Sequence, residues 1–196
     1  MDAAKLLAEF EQVVKGHEGV EGWLEPKQAL ALFIAAKSVI GTLRPACIVE
    51  IGSHYGLSTI FLAGAVKDHG HVIAIDPWLP GGQRFQKFWR NVHGLPVEPF
   101  MGTSAQAAAE LEFRYIDMLY IDGSHEEEAV QCDFDLWTPR LRVGGILAMH
   151  DVHFSKGVDV EGPGQVVIKE IFGNPQWGGF VRIGKSGMFI TRKLED

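Results

Sequence analysis

Residues 46–59 read Ala46-Cys47-Ile48-Val49-Glu50-Ile51-Gly52-Ser53-His54-Tyr55-Gly56-Leu57-Ser58-Thr59. An almost wholly apolar run of six residues leads into a turn bounded by two glycines, and a helical pattern follows. Such a run is the mark of a strand buried on both faces. Gly52 and Gly56 let the backbone turn tightly and approach a ligand closely. A strand, a glycine turn and a helix open a parallel α/β sheet whose ligand sits beyond the strand's carboxyl end. The spacing here is Gly-x-x-x-Gly, not the Gly-x-Gly-x-x-Gly of dinucleotide sites. Glu50, two positions before the first glycine, would repel a pyrophosphate. It suits the amino group of an amino-acid moiety, reached through water or backbone groups. Ser58 and Thr59 fall at a helix start, where hydroxyls and free N–H groups can meet a carboxylate.

The same texture continues outward. His71–Ile75 reads as the next strand and ends at Asp76, 26 residues after Glu50 and well placed to take both hydroxyls of a ribose. Residues 77–82 form a Pro/Gly-rich loop, 85–92 a helix, 97–101 a strand and 104–111 an Ala-rich helix. Strand 116–121, helix 126–141 and strand 146–149, entered by the turn Gly144-Gly145, follow. Two helices, about 3–14 and 26–42, precede this core, and the second opens on Pro26. Near the end, a helix over 164–172 leads to strands 180–183 and 188–192, joined by Gly184-Lys185-Ser186-Gly187. So short a link makes only an antiparallel hairpin. The expected fold is therefore α/β, a doubly wound sheet, mostly parallel with the last strand antiparallel. It forms a single domain over 1–196, with N-terminal helices in 1–43 and the core in 44–196.

Composition bounds the function. The chain has 196 residues, 46% hydrophobic and 22% charged, with a net charge of −7. An acidic chain without a Lys/Arg run argues against nucleic acid and membrane surfaces as partners. Cys47 and Cys132 lack metal-type spacing and read as two buried thiols, and the N-terminus has no signal-peptide core, so the expected location is cytoplasmic.

The motif around Gly52 resembles the first motif of class I S-adenosylmethionine-dependent methyltransferases. Asp122-Gly123-Ser124-His125 followed by Gly144-Gly145-Ile146-Leu147-Ala148-Met149-His150-Asp151 sharpens that likeness. It resembles a small bacterial methyltransferase family related to catechol-type and to sugar and antibiotic O-methyltransferases. The resemblance covers about residues 44–192 and implies a Rossmann-like sheet of seven strands, the last reversed. It further implies that Glu50, Gly52, Ser53 and Gly56 line the methionine end of S-adenosylmethionine and that Asp76 holds the ribose. Pro77 and Trp78 would flank the adenine, Gly102, Thr103 and Ser104 would sit near its edge, and Asp122 would face the transferred methyl group. The implied reaction is O-methylation of a small-molecule acceptor: a sugar, a polyketide or a phenolic.

At the catalytic end two readings stay open. In one, Asp122 and Asp151 bind Mg2+ or another divalent cation, which lowers the pKa of an acceptor hydroxyl. Catechol-type relatives follow the second Asp with Asn. Here Val152 stands in that place, leaving His150, His153 or water to supply the third ligand. In the other, His125 or His153 is a general base without metal. Ser124 and Glu127 read as a helix capping box, and Asp133 and Asp135 as a solvated helix face. The Gly-rich stretch 153–164 reads as a lid or a plain connector. The N-terminal helices would cover the site, form a homodimer seam or pack on their own sheet. Competing functions are a non-catalytic S-adenosylmethionine-binding protein, a nicotinamide-dependent oxidoreductase and a metal-dependent hydrolase.

Overall fold

The computed structural model describes residues 2–41, 43–112, 115–154 and 162–196. Helix α1 spans Ala3–Gly16, and its free N-terminus is capped by the Asp2 carboxylate accepting from Ala4 N. Helix α2 spans Pro26–Ser38, with Pro26 in its first turn and a reciprocal cap between Glu25 and Gln28. It stops short of the expected position 42, where the β-branched pair Val39-Ile40 and Gly41 weaken helix propagation. Thr42 itself lies outside the described residues.

The core alternates as the sequence implied. β1 (Ala46–Ile51), α3 (Leu57–Val66), β2 (Gly70–Asp76), α4 (Gln83–Val92), β3 (Val97–Met101) and α5 (Ser104–Glu110) are followed by β4 (Ile116–Ile121), α6 (Glu127–Trp137) and β5 (Leu141–Met149). Helix α7 (Gly162–Val166) continues into a π-helical turn, Val167–Ile171, before β6 (Trp177–Ile183) and β7 (Met188–Lys193). The sheet order among the described residues is β3-β2-β1-β4-β5-β7-β6. All pairings from β3 to β5 are parallel, and β7 runs antiparallel to both β5 and β6. The tight link at 184–187 makes β6 and β7 an antiparallel hairpin, and it is β7, the reversed strand, that pairs with β5, one place in from the edge.

Both faces are covered. Alternate residues Ile48, Val72, Met118 and Ile146 pack beneath α1 to α4. Their neighbours Val49, Ile73, Leu119 and Leu147 pack with Val130, Phe134 and Trp137 of α6. This period-two split of wholly apolar strands is what a sheet buried on both sides demands.

Three local expectations change. Gly144-Gly145 lies inside β5 and is not a turn before it. Pairing jumps from Ile116↔Leu141 to Met118↔Ile146, so the glycines form a bulge, with Gly144 at φ +78°. Ser124 accepts a hydrogen bond from Glu126 N at 3.1 Å, but α6 begins only at Glu127, so Ser124 is not its cap. Cys132 is exposed; only Cys47 is buried, and burial pushes its thiol up to about 12. In the 153–164 stretch, residues 155–161, including Lys156, Asp159 and Glu161, lie outside the described residues.

The chain leaves β1 toward β2 and β3 on one side, then returns to build β4 and β5 on the other. A crevice opens at that reversal, where the carboxyl ends of β1 and β4 meet: Asp122 N donates to Ile51 O at 2.9 Å.

Candidate active site

A cavity of about 990 Å³ occupies this crevice, walled by the β1 turn (Gly52, Ser53), Asp76, Asp122 and the pair His150-Asp151. The turn is held open by its glycine. Gly52 sits at φ +88°, and a Cβ there would meet Asp122 O at 2.1 Å. Gly56, at φ +89°, packs toward Val92 and Phe88 of α4. It shapes the turn and is not among the residues that wall the cavity.

Glu50 is fully buried behind this turn, so it does not line the cavity as expected. The Thr59 hydroxyl donates to its Oε2, and the Ser53 and Ser58 hydroxyls face it. These hydroxyls are therefore turned inward; Ser58 still borders the cavity, while Thr59 does not. Burial outweighs them and pushes the Glu50 carboxyl up to about 7. Its Oε1 and the Ser53 Oγ find no hydrogen-bond partner. Buried polar atoms are normally satisfied, so two orphans in one place mark where a ligand or water completes the site.

Asp76 ends β2 half-buried on the cavity wall, with Oδ2 accepting from His54 N at 2.9 Å and no donor to Oδ1 among the described residues. Burial raises its pKa, against the opposing bond from His54. Pro77 borders the cavity. Trp78 does not: it is 4% exposed, its ring lies tilted against Phe88 with centroids 4.3 Å apart, and it spends its Nε1–H on His54 O. Its expected place beside an adenine is therefore corrected. Gly102, Thr103 and Ser104 lie on the cavity wall at the start of α5.

Asp122, His150 and Asp151 come together at the ends of β4 and β5, each offering a ligand atom within 4.8 Å of the others. His150 Nδ1 lies 3.0 Å from Asp151 Oδ2 and 3.3 Å from Asp122 Oδ1. Burial opposes charge on His150, but the hydrogen bonds to both carboxylates prevail and push it up to about 10. Burial also opposes charge on Asp151, and the His150 bond overcomes it and lowers the Asp151 pKa. Tyr120 donates to Asp122 Oδ2 at 2.8 Å. Asp151 holds φ +53°, an uncommon backbone state for a non-glycine residue. His125 reaches the same carboxylate, Nε2 to Asp151 Oδ2 at 3.1 Å, with its side chain half exposed. His153 is half-buried outside the cavity wall, and only its charge acts on Asp151. Val152 is fully buried, and its hydrocarbon side chain has no atom to offer a cation.

Sequence reasoning missed two residues here. Gln28 of α2 is fully buried, and its Oε1 lies 3.1 Å from His150 Nε2 while its Nε2 donates to Ser186 Oγ at 2.8 Å. Asp133 is not on a solvated face: it is 6% exposed, accepts from the Ser104 hydroxyl, and borders the cavity. Its spacing with the buried Val130, Phe134 and Trp137 is i, i+3, i+4, i+7, a signal that was available in the sequence.

This geometry defines a ligand-binding α/β domain with an acid–histidine cluster at its switch point. Residues 49–152 match the family Methyltransf_24, described as a methyltransferase domain, and the chain belongs to that family. The curated relatives include "Probable caffeoyl-CoA O-methyltransferase 1" of Dictyostelium discoideum, 27% identical over 121 residues covering 59% of this chain and 52% of that protein. Another is the uncharacterized protein y4gI of Sinorhizobium fredii, 29% identical over 125 residues covering 58% of this chain and 14% of that protein. The chain thus spans about half the length, or less, of these curated relatives. Among solved structures, the O-methyltransferase from Bacillus cereus in complex with SAH has a TM-score of 0.71 at 15% identity, covering 100% of this chain and 92% of that one. The O-methyltransferase TomG from Streptomyces achromogenes, solved with SAM, has a TM-score of 0.72 at 16% identity, covering 100% and 91%. These likenesses carry the fold, including the seven-stranded sheet with its reversed strand.

Proposed function

We propose that this single domain, with helices in 1–43 and a core in 44–196, is an S-adenosylmethionine-dependent O-methyltransferase acting on a small hydroxylated acceptor. The carrying observation is one cavity that joins the Asp76 carboxylate, Ser53 with its orphaned hydroxyl and the Asp122–His150–Asp151 cluster, with the orphaned Glu50 oxygen buried behind the Ser53 turn. The cofactor, when bound, supplies an activated methyl group on a sulfonium. Asp76 Oδ1 is free to take ribose hydroxyls, and Ser53 with Glu50 behind it to complete the amino-acid end. Asp122 faces the reacting centre.

The cluster also fits a divalent cation. Two carboxylates and an imidazole nitrogen converge, and Gln28 Oε1 backs the other ring nitrogen, as an outer-shell acceptor does in metal sites. A cation held by Asp122, His150 and Asp151 would bind an acceptor hydroxyl and favour its ionised form. His125, oriented by Asp151, is positioned to receive the acceptor's proton. Proximity and deprotonation then carry much of the rate. The substrate side is formed by Glu21–Glu25, Tyr55, His125 and Ser186, where the ring of the 79%-exposed Trp23 lies tilted against His54, centroids 5.2 Å apart. No helix among the described residues is long and apolar enough to cross a membrane, and the two free thiols suit a reducing cytosol.

The test is calorimetric titration with S-adenosylmethionine and S-adenosylhomocysteine, with and without Mg2+ or Mn2+. Saturable binding lost in Asp76→Ala supports the reading; no binding under any condition overturns it. A cation-dependent gain lost in Asp122→Ala supports the metal, and its absence leaves His125 as the base.

A further inference from the structure

One wall of the cavity carries a carboxylate that no cation among the described residues answers. Asp133 projects from α6 on the face covered by α5 and α6, and it is 6% exposed. Ser104 donates to its Oδ1, and among the described residues no donor reaches Oδ2 and no cation pairs with it. Burial accordingly raises its pKa. A structural staple between α5 and α6 needs only one oxygen; the second is left over, at the edge of a cavity. The space beside it is kept clear by a glycine. A Cβ on Gly123 would stand 3.7 Å from Asp133 Oδ2 and 3.4 Å from Ile51 Cγ2, in the gap between them. Ile51, Ile75 and Ala129 line the same region with apolar surface. Apolar side chains beside one carboxylate oxygen without a donor match a heterocycle that presents an N–H donor at its rim.

We propose that Asp133, oriented by Ser104, is the specificity-determining residue that reads the exocyclic amine of the cofactor's purine. This inference rests on the S-adenosylmethionine reading above. The 6-amino N–H donates to Asp133 Oδ2. A 6-oxo purine offers a lone pair to a lone pair there, losing the hydrogen bond and leaving the carboxylate unanswered.

The experiment compares S-adenosylhomocysteine with S-inosylhomocysteine, its 6-oxo counterpart, by calorimetry on the full chain. Wild-type protein is expected to prefer the amino form by about 30-fold or more, the scale of one hydrogen bond to a charged group. In Asp133→Asn, Oδ1 still accepts from Ser104, which turns the amide N–H toward the cavity. That donor meets the 6-oxo group, so the preference shrinks at least about tenfold or inverts. A residue that only staples α5 to α6 would leave the ratio untouched, because Asn keeps the staple. Equal affinity of the two ligands for wild-type protein overturns the proposal without recourse to any variant, as does an unchanged ratio in Asp133→Asn. Wild-type protein that binds neither ligand overturns the cofactor reading, and this inference with it.

Discussion

Glu50→Gln is expected to make the free protein more stable at pH 8 while weakening its hold on the cofactor. Glu50 is fully buried, and its carboxyl is pushed up to about 7 from an ordinary 4.5. The folded state therefore binds this proton more tightly than the unfolded state does. The stability so contributed is complete below the ordinary value and is lost as pH rises through about 7. Fully ionising the group in place at pH 8 costs about 3 kcal/mol. Glutamine carries no charge to bury. The hydroxyls of Ser53, Ser58 and Thr59 can each rotate to accept from its amide, since a hydroxyl both donates and accepts. The Thr59 bond weakens when its acceptor becomes neutral, which returns part of the gain, so the net expectation is about 1–3 kcal/mol.

Urea unfolding of both proteins at pH 5 and pH 8 measures this directly. At pH 5 wild-type Glu50 is protonated and the two curves nearly coincide; at pH 8 the variant's midpoint is higher. S-Adenosylhomocysteine binding moves the other way, because its α-ammonium is the charge that an ionised Glu50 awaits. Wild-type affinity should climb from pH 5 to pH 8, and the variant's should not. A variant less stable than wild type at pH 8, or a gap that is the same at both pH values, would refute the reasoning.

Gly52→Ala should destabilise by about 3 kcal/mol or more in the same assay, because its Cβ would enter Asp122 backbone at 2.1 Å from a φ of +88°. Asp117, at the other end of β4, takes Arg44 at 2.8 and 3.0 Å, Arg142 at 2.5 Å and Cys47 N at 2.9 Å. Burial opposes its charge, yet the Arg142 bond and its companions lower its pKa, so its contribution is present above the ordinary Asp value and fades as acid titrates it. Asp117→Asn should cost about 2 kcal/mol at neutral pH, since the two arginines are partly solvated, and the difference from wild type should close in acid. Gln28→Leu should weaken Mn2+ binding about tenfold and shift the His150 ring signals in a histidine-selective NMR spectrum, leaving S-adenosylhomocysteine affinity intact; unchanged ring signals would show that Gln28 merely packs.

The sheet was readable because its determinants are local. Each of β1, β4 and β5 is an apolar run ended by a chemically loaded residue, and the turn at 184–187 is too short for anything but a hairpin. Asp76, Asp122 and Asp151 were readable for the same reason: a residue at the end of a buried parallel strand must face the crevice. What escaped was decided by neighbours far along the chain. Nothing within the run at 76–79 says that Phe85 and Phe88 will bury Trp78, or that His54 O will claim its N–H.

The two overlooked residues show where such distant decisions fall. Gln28 lies 122 positions from His150, and Asp133 lies 29 from Ser104. Both are polar residues on the buried stripe of a helix, a placement that costs stability unless a partner is waiting. Gln28 has its partners within the fold: Ser186, the Ile183 carbonyl and His150. Asp133 has one among the described residues, the Ser104 hydroxyl. A fold that buries a carboxylate and satisfies a single oxygen of it bears that cost in the free state and recovers it on binding. The unanswered oxygen is therefore the side of the site that ligand chemistry, not folding, has shaped.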